Sequence, residues 1–285
     1  MVRTGVDLPA DAVGHRSSTA FGREIVTAAL AGVDPVGAAA AAREAAWRSG
    51  YGPHFQRLVE AGFGAETAAV TIAKQGLTAV TEHMQVVGPT GSQTPLVEVF
   101  DQPIGRSLTT RSVRGVSSPD TFNLPMAGIR LENAALSHQL ERWEQRGAIE
   151  PSAAQAVREL IDHQQWLPLR GTKVVVLGAG AEMGPLRALL SWGAEVIAVD
   201  LPRPDLWRKL EQIAGAGAGI LHIPECDGRP GASLLHDLPA VGEWIASFEG
   251  PLVVGNYAYA DGVAHLRLSA ATDALAVWLT AQRDD

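Results

Sequence analysis

The stretch that most constrains this chain runs from Lys173 to Asp200, where two short apolar segments bracket a glycine turn and a helical pattern. Lys173–Leu177 reads KVVVL and Glu195–Val199 reads EVIAV, with a helix expected over Glu182–Trp192 between them. Short runs without polar alternation predict strands buried on both faces. The alternation continues with a helix over Pro204–Ile213, a third strand over Gly219–Ile223 and a helix over Leu238–Phe248. A fourth strand over Leu252–Gly255 and a closing helix over Val263–Ala281 complete it. Strands that alternate with helices need crossover connections and give a parallel sheet, so the expected class is α/β.

Residues 1–168 read differently. Asp34 is placed to cap a helix that begins at Pro35, and the Ala-rich run after it favours helix until Gly50-Tyr51-Gly52-Pro53. Further helices are expected near His54–Glu60 and Ala65–Met84. Pro95–Phe100 and Ser107–Val113 are β-branched and bounded by Pro and Gly, which predicts a β-hairpin near 95–114. A helix is expected to resume near Gly128 with Leu136, Leu140 and Trp143 on one face, and another is capped by Ser152. The expected division is a mainly helical cap over 1–168, supplying substrate contacts, and a sheet domain over 169–285.

In the glycine turn, Gly178 permits a tight bend and Gly180 lets a ligand approach the backbone. The helix behind them would offer unpaired N–H groups and a partial positive charge. Gly184 would allow close helix–strand contact, and Glu182 and Met183 lie within the same turn. Asp200 ends the second strand, where a carboxylate accepts hydrogen bonds from ribose hydroxyls. On these residues the stretch resembles the NAD(P)-binding Rossmann superfamily. The resemblance implies a dinucleotide on Gly178, Gly180, Glu182, Met183, Gly184 and Asp200, with Asn256 at the fourth strand as a further contact. A carboxylate at Asp200 favours NAD over NADP, although Arg203 nearby softens that preference. The spacing is GxGxxxG rather than GxGxxG, because Gly184 comes one residue late.

The same strand–turn–helix with an acid after strand two also resembles S-adenosylmethionine-dependent methyltransferases. Apolar Val176 and bulky Glu182 depart from that pattern, so methyl transfer ranks second. A non-catalytic dinucleotide-binding or sensor protein is a third reading. Four strands are fewer than the six of a full dinucleotide domain. Either the N-terminal region or a partner copy in a homodimer completes the sheet, or only half a dinucleotide site exists, which would favour a mononucleotide-like ligand.

In such sheets the ligand lies outside the carboxyl ends of the strands. The loop after the fourth strand holds two of the chain's three tyrosines, Tyr257 and Tyr259, with Asn256, Asp261 and His265. A tyrosine hydroxyl there suits proton donation to a carbonyl, tuned or relayed by Asp261 or His265. The expected activity is an NAD(P)-dependent oxidoreductase acting on a small or medium-sized carbonyl, alcohol or imine. Asn123, Arg130 and Asn133 form a second cluster, with Arg130 and Asn133 on one helical face as an anchor for a substrate carboxylate. His222 ends the third strand and is expected to pack there.

Charge narrows the partners. Residues 171–285 carry 8 Lys+Arg against 14 Asp+Glu within a net charge of −8. With no basic stripe, neither nucleic acid nor an anionic membrane surface is expected. Cys226 is the single cysteine, which rules out an intrachain disulfide and a Cys-based zinc site, and no His or carboxylate spacing suggests another metal. No apolar run follows Arg3 and none is long enough to span a bilayer, so the expected compartment is the cytoplasm.

Overall fold

The computed structural model describes residues 4–102 and 105–283. The elements begin with β1 (Gly5–Asp7), α1 (Ser18–Ala31), α2 (Pro35–Arg43), α3 (Trp47–Phe63), α4 (Glu66–His83), β2 (Gln85–Val87) and β3 (Gln93–Pro95). Next come β4 (Thr109–Arg114), β5 (Leu124–Met126), β6 (Ile129–Leu131), α5 (Asn133–Gln145), α6 (Pro151–Asp162) and β7 (Lys173–Leu177). The chain continues through α7 (Leu186–Ser191), β8 (Glu195–Val199), α8 (Pro204–Ala216), β9 (Ile220–Cys226) and β10 (Arg229–Pro230). It closes with α9 (Leu238–Ala246), β11 (Leu252–Asn256) and α10 (Gly262–Gln282). The protein is mixed α/β, with a mixed sheet that contains parallel strands. No helix among the described residues is long and apolar enough to cross a membrane.

The chain forms two compact units. Unit 1 comprises Met1–Leu108, Ala232–Phe248 and Ala258–Asp284; unit 2 comprises Thr109–Gly231 and Glu249–Tyr257. The expected boundary at 168/169 therefore falls inside unit 2. The cause is β4, which pairs with β9 from Thr109↔Glu225 to Arg114↔Ile220 and draws the middle of the chain into the sheet.

In unit 2 the sheet order is β10-β9-β8-β7-β11, with β4 also on β9. The pairs β8–β9, β7–β8 and β11–β7 are parallel, whereas β4 and β10 run antiparallel to β9. Val174, Val176, Val196, Ala198, Leu221 and Ile223 pack against Leu186 and Leu190 of α7 and Trp207, Leu210 and Ala214 of α8. Val175, Ile197 and Val199 on the opposite face are also buried, so these strands show continuous apolar runs instead of alternation. A second core joins Leu136 and Leu140 of α5 to Ala154 of α6, Phe122 and Leu131.

In unit 1, α1, α2 and the start of α3 pack through Val26, Leu30, Ala38, Ala41 and Trp47. The Ala run of α2 thus permits close helix approach. Asp34 caps it by accepting from the Gly37 N–H at 2.9 Å. β1, β2 and β3 form a small antiparallel sheet.

Four local expectations are overturned. Leu96–Asp101 is a 3-10 helix rather than a strand, because Leu96 and Val99 are both buried at the three-residue spacing of that helix. The hairpin near 95–114 is absent, since β4 takes β9 as its partner. The first helix of the Ala-rich region stops at Arg43, and α3 runs on through Pro53. The expected helix near Gly128 is instead the β5–β6 hairpin, turned by Ala127 at φ 48° and Gly128 at φ 83°. Two consecutive left-handed residues are the signature of a tight hairpin turn.

Candidate functional site

The glycine turn of unit 2 lies at the carboxyl end of β7. Gly178 has φ +81°, a left-handed conformation that favours glycine. The amides of Gly178 and Ala179 donate to the Val199 carbonyl at 2.8 and 3.1 Å. The Ala181 N–H donates to the Gly178 carbonyl at 3.0 Å, and the Gly184 N–H to the Ala181 carbonyl at 2.9 Å. Asp200 directly follows β8, half-buried; its Oδ2 accepts from the Gly180 N–H at 2.8 Å and its Oδ1 from the Leu201 N–H at 2.7 Å. A Cβ on Gly180 would collide with the Leu206 side chain and stand 3.2 Å from Asp200 Oδ2. Leu206 and Asp200 therefore occupy the face of Gly180 that a ligand would approach.

The helix behind this turn is shorter than expected. α7 starts at Leu186 and spans 6 residues, after a turn that holds Glu182, Met183, Gly184 and Pro185. Pro185 is its N-cap and supplies no N–H. Glu182 and Met183 are exposed, Met183 by 93%. The fit to a dinucleotide is divided. A half-buried carboxylate at the end of β8 suits a ribose diol, but the amides of Gly178, Ala179, Gly180, Ala181 and Gly184 are spent within the chain. As arranged, the turn does not cradle a pyrophosphate.

Asn256 ends β11 opposite Leu177, and the Tyr257 N–H donates to the Leu177 carbonyl at 2.8 Å. The Tyr257 ring lies over Gly255, where a Cβ would meet it at 2.6 Å. Asn256 and Tyr257 belong to unit 2; Tyr259, Asp261 and His265 belong to unit 1. Within unit 1 these three gather at the N-terminus of α10. The Tyr259 hydroxyl donates to Asp261 Oδ1 at 3.0 Å, and the Tyr259 and His265 rings lie 5.5 Å apart. The hydrogen bond to Asp261, with its negative charge, holds the Tyr259 phenol above its ordinary pKa. Tyr259 thus keeps its proton.

Asn123, Arg130 and Asn133 do not converge on one helical face. Asn123 donates to the Thr121 carbonyl at 3.1 Å, and Arg130, on β6, faces Asp120 at 3.8 Å. Asn133 opens α5 with φ 46° and accepts from Gln164 at 3.2 Å. The positive-φ turn at 127–128 moved Arg130 from the helix to a strand.

Two clusters were not singled out in the sequence. In unit 2, the Ser112 hydroxyl lies 2.9 Å from His222 Nδ1, and Glu195 Oε2 is 3.6 Å from His222 Nε2. Burial pushes the His222 pKa down, against the pull of Glu195. Strand parity places Ser112 opposite His222, but only once β4 is known to pair with β9. In unit 1, Asp7 is 3% exposed and stands between two guanidiniums, with Arg267 Nε 3.5 Å from Oδ1 and Arg16 Nε 3.9 Å from Oδ2. No spacing in the sequence joins positions 7, 16 and 267.

No protein-family model, no curated protein and no solved structure matches this chain, so its site is defined by these contacts alone.

Proposed function

We propose that this protein is an enzyme dependent on an adenosine-containing cofactor, whose ribose docks on Asp200 in unit 2. The observation that carries the reading is the Asp200 carboxylate, half-buried at the end of β8 and 2.8 Å from the Gly180 amide. Ribose hydroxyls would replace the Gly180 and Leu201 amides as donors to it. Such an exchange of one hydrogen bond for another costs little net free energy, about 1 kcal/mol or less. The strand–turn–helix sequence on parallel strands, similar to Rossmann proteins, supports the same place for the ligand.

Within this class NAD(H) comes first on the sequence, with NADP(H) disfavoured by the Asp200 charge. The corresponding activity is an oxidoreductase acting on a small or medium-sized carbonyl, alcohol or imine, hydride transfer being the chemistry that cofactor supplies. A dinucleotide would require Leu206 to move and the turn to release amides. S-adenosylmethionine has no pyrophosphate, so the committed amides favour it as the second reading, a methyltransferase.

Thermal unfolding with NAD(H), NADP(H) and S-adenosylmethionine tests the proposal, since a ligand at about 100 times its Kd adds about 2.7 kcal/mol. One of these ligands is expected to raise Tm in the native protein and not in Asp200→Ala. If none does, the proposal fails. Turnover on a carbonyl panel then separates the oxidoreductase from a dinucleotide-binding sensor, which would be stabilised without turnover.

A further inference from the structure

The Ser112–His222–Glu195 cluster of unit 2 sets a hydroxyl, an imidazole and a carboxylate side by side, and the cofactor reading uses none of them. Its place follows from strand register. Val113, Val196 and Leu221 pack against the α7–α8 core. Ser112, Glu195 and His222, each one position away, therefore face the other side of the sheet. Ser112 stands opposite His222 across β4 and β9, and Ile197 stands opposite His222 across β8 and β9. Glu195, two residues before Ile197 on the same face, is the diagonal neighbour of His222.

The ladder also decides where the Ser112 backbone points. The Gly115 N–H donates to the Gly219 carbonyl at 2.9 Å, continuing the register of β4 on β9. The main-chain bonds between these strands thus fall at the odd positions of β4. Ser112–His222 is a pair without them, the type that holds its side chains closest. Pro224, which has no N–H, lies opposite Thr110 in the same class. The Ser112 N–H consequently points away from β9, to an edge of β4 with no paired strand among the described residues.

The three side chains fit a nucleophile, a base and an orienting acid. Ser112 is exposed, and its hydroxyl is 2.9 Å from His222 Nδ1. Glu195 Oε2 stands 3.6 Å from Nε2. The carboxylate favours the tautomer protonated on Nε2, which leaves Nδ1 to accept from the serine. Burial keeps the imidazole neutral at rest, and Glu195 offsets the charge gained when it takes a proton. The outward Ser112 N–H is a main-chain donor beside the attacking oxygen, where an oxyanion forms. Arg114, exposed two residues along the same face of β4, and Lys173, opposite Glu195 on β7, are the other charges acting on His222.

We propose that Ser112 is an activated nucleophile that hydrolyses small carboxylic esters at the exposed edge of the sheet, with His222 as its base and Glu195 orienting the imidazole. Ser112 Oγ bonds to the ester carbonyl carbon while its proton passes to His222 Nδ1. The tetrahedral intermediate collapses, the carbon–oxygen bond to the alcohol breaks, and His222 gives the proton to the leaving oxygen. Water then attacks acyl-Ser112 as His222 takes a proton from it. The bond to Ser112 Oγ breaks, the acid departs, and the serine recovers its proton from His222. Glu195 begins β8 whereas Asp200 follows its end, so this site stands or falls apart from the cofactor.

A fluorophosphonate, which bonds to a nucleophilic serine oxygen with loss of fluoride, tests the nucleophile on the full chain. One adduct per chain is expected by intact mass, placed on Ser112 by peptide mass spectrometry. Ser112→Ala should abolish it, and His222→Gln should slow it about 100-fold. In the native protein the labelling rate should fall as pH drops and His222 gains its proton, a dependence that His222→Gln should lose. The native protein should also hydrolyse p-nitrophenyl acetate, and Ser112→Ala should not. Circular dichroism checks that the variants fold, and labelling of the native chain decides the question if one does not. No adduct, an adduct away from Ser112, or equal labelling of urea-unfolded protein would each overturn the proposal. So would an unchanged rate in His222→Gln, or no ester hydrolysis that depends on Ser112.

Discussion

The glycine turn of unit 2 and the Asp7 cluster of unit 1 each centre on one aspartate, and they differ in how its oxygens are used. Asp200 gives both oxygens to backbone amides of its own neighbourhood, Gly180 and Leu201. Asp7 is more deeply buried and flanked by two arginines, yet one of its oxygens accepts nothing among the described residues. The turn that looks most like a ligand site by pattern is saturated within the chain. The Asp7 oxygen that accepts no hydrogen bond is buried beside two guanidiniums that no pattern in the sequence marks. A motif shows where a ligand has been accommodated in other proteins; an inventory of donors and acceptors shows what this protein has already satisfied within itself.

The largest expected effect tests the Asp7 side. Asp7→Ala leaves Arg16 and Arg267 without their shared buried counter-ion, and breaking such a buried ion pair costs about 3–5 kcal/mol. A urea midpoint close to that of the native protein would mean that water, not Asp7, solvates the two guanidiniums.

Asp200→Ala should cost less, about 1 kcal/mol, because the freed Gly180 amide is exposed and water can serve it. Equal losses in Asp7→Ala and Asp200→Ala would erase the distinction drawn between the two aspartates.

A smaller effect concerns pH. Burial holds His222 below its ordinary pKa in the folded state, so the unfolded chain takes up the proton first as pH falls through about 6.5. Stability from this group is present above that pH and is lost as pH drops toward the folded value. Comparing urea midpoints at neutral and mildly acid pH should show a fall in the native protein that is reduced in His222→Gln. An identical pH slope in both would remove His222 as the cause.

The smallest expected change is in the stability of Tyr259→Phe. Tyr259 is 76% exposed and its bond to Asp261 is at the surface, so the variant should unfold within about 0.5 kcal/mol of the native protein. If Tyr259 supplies the proton in turnover, the same variant should lose roughly 100-fold or more in rate. Loss of stability without loss of rate would make the tyrosine a helix-capping element.

Much of unit 2 was legible because its strands carry their burial in their composition: KVVVL and EVIAV are apolar at successive positions and emerged as β7 and β8 with the expected limits. The Asp34–Pro35 start of α2 was legible for a similarly local reason, a side chain bonding three residues ahead. The extent of α7 was not, because Gly184 and Pro185 shortened a helix that the apolar spacing alone would have begun earlier. Pro95–Phe100 has the β-branched residues of a strand, yet burial of Leu96 and Val99 made it a 3-10 helix. Arg130 and Asn133 were misread together, since one left-handed turn at 127–128 separates them onto a strand and a helix.

The sequence by itself determined several local units: the apolar strands of the parallel sheet, where several helices begin, and that a carboxylate follows the second apolar strand of the motif. Those properties depend on residues a few positions apart, where periodicity, capping and backbone freedom act. Only the tertiary structure decided that β4 joins β9, that Leu206 covers Gly180, and that Asp7 sits between Arg16 and Arg267. Arg267 reaches the Val6 carbonyl across 261 positions of chain. Partners so distant are chosen by how packed elements share space and satisfy buried charge, and no local spacing carries that information.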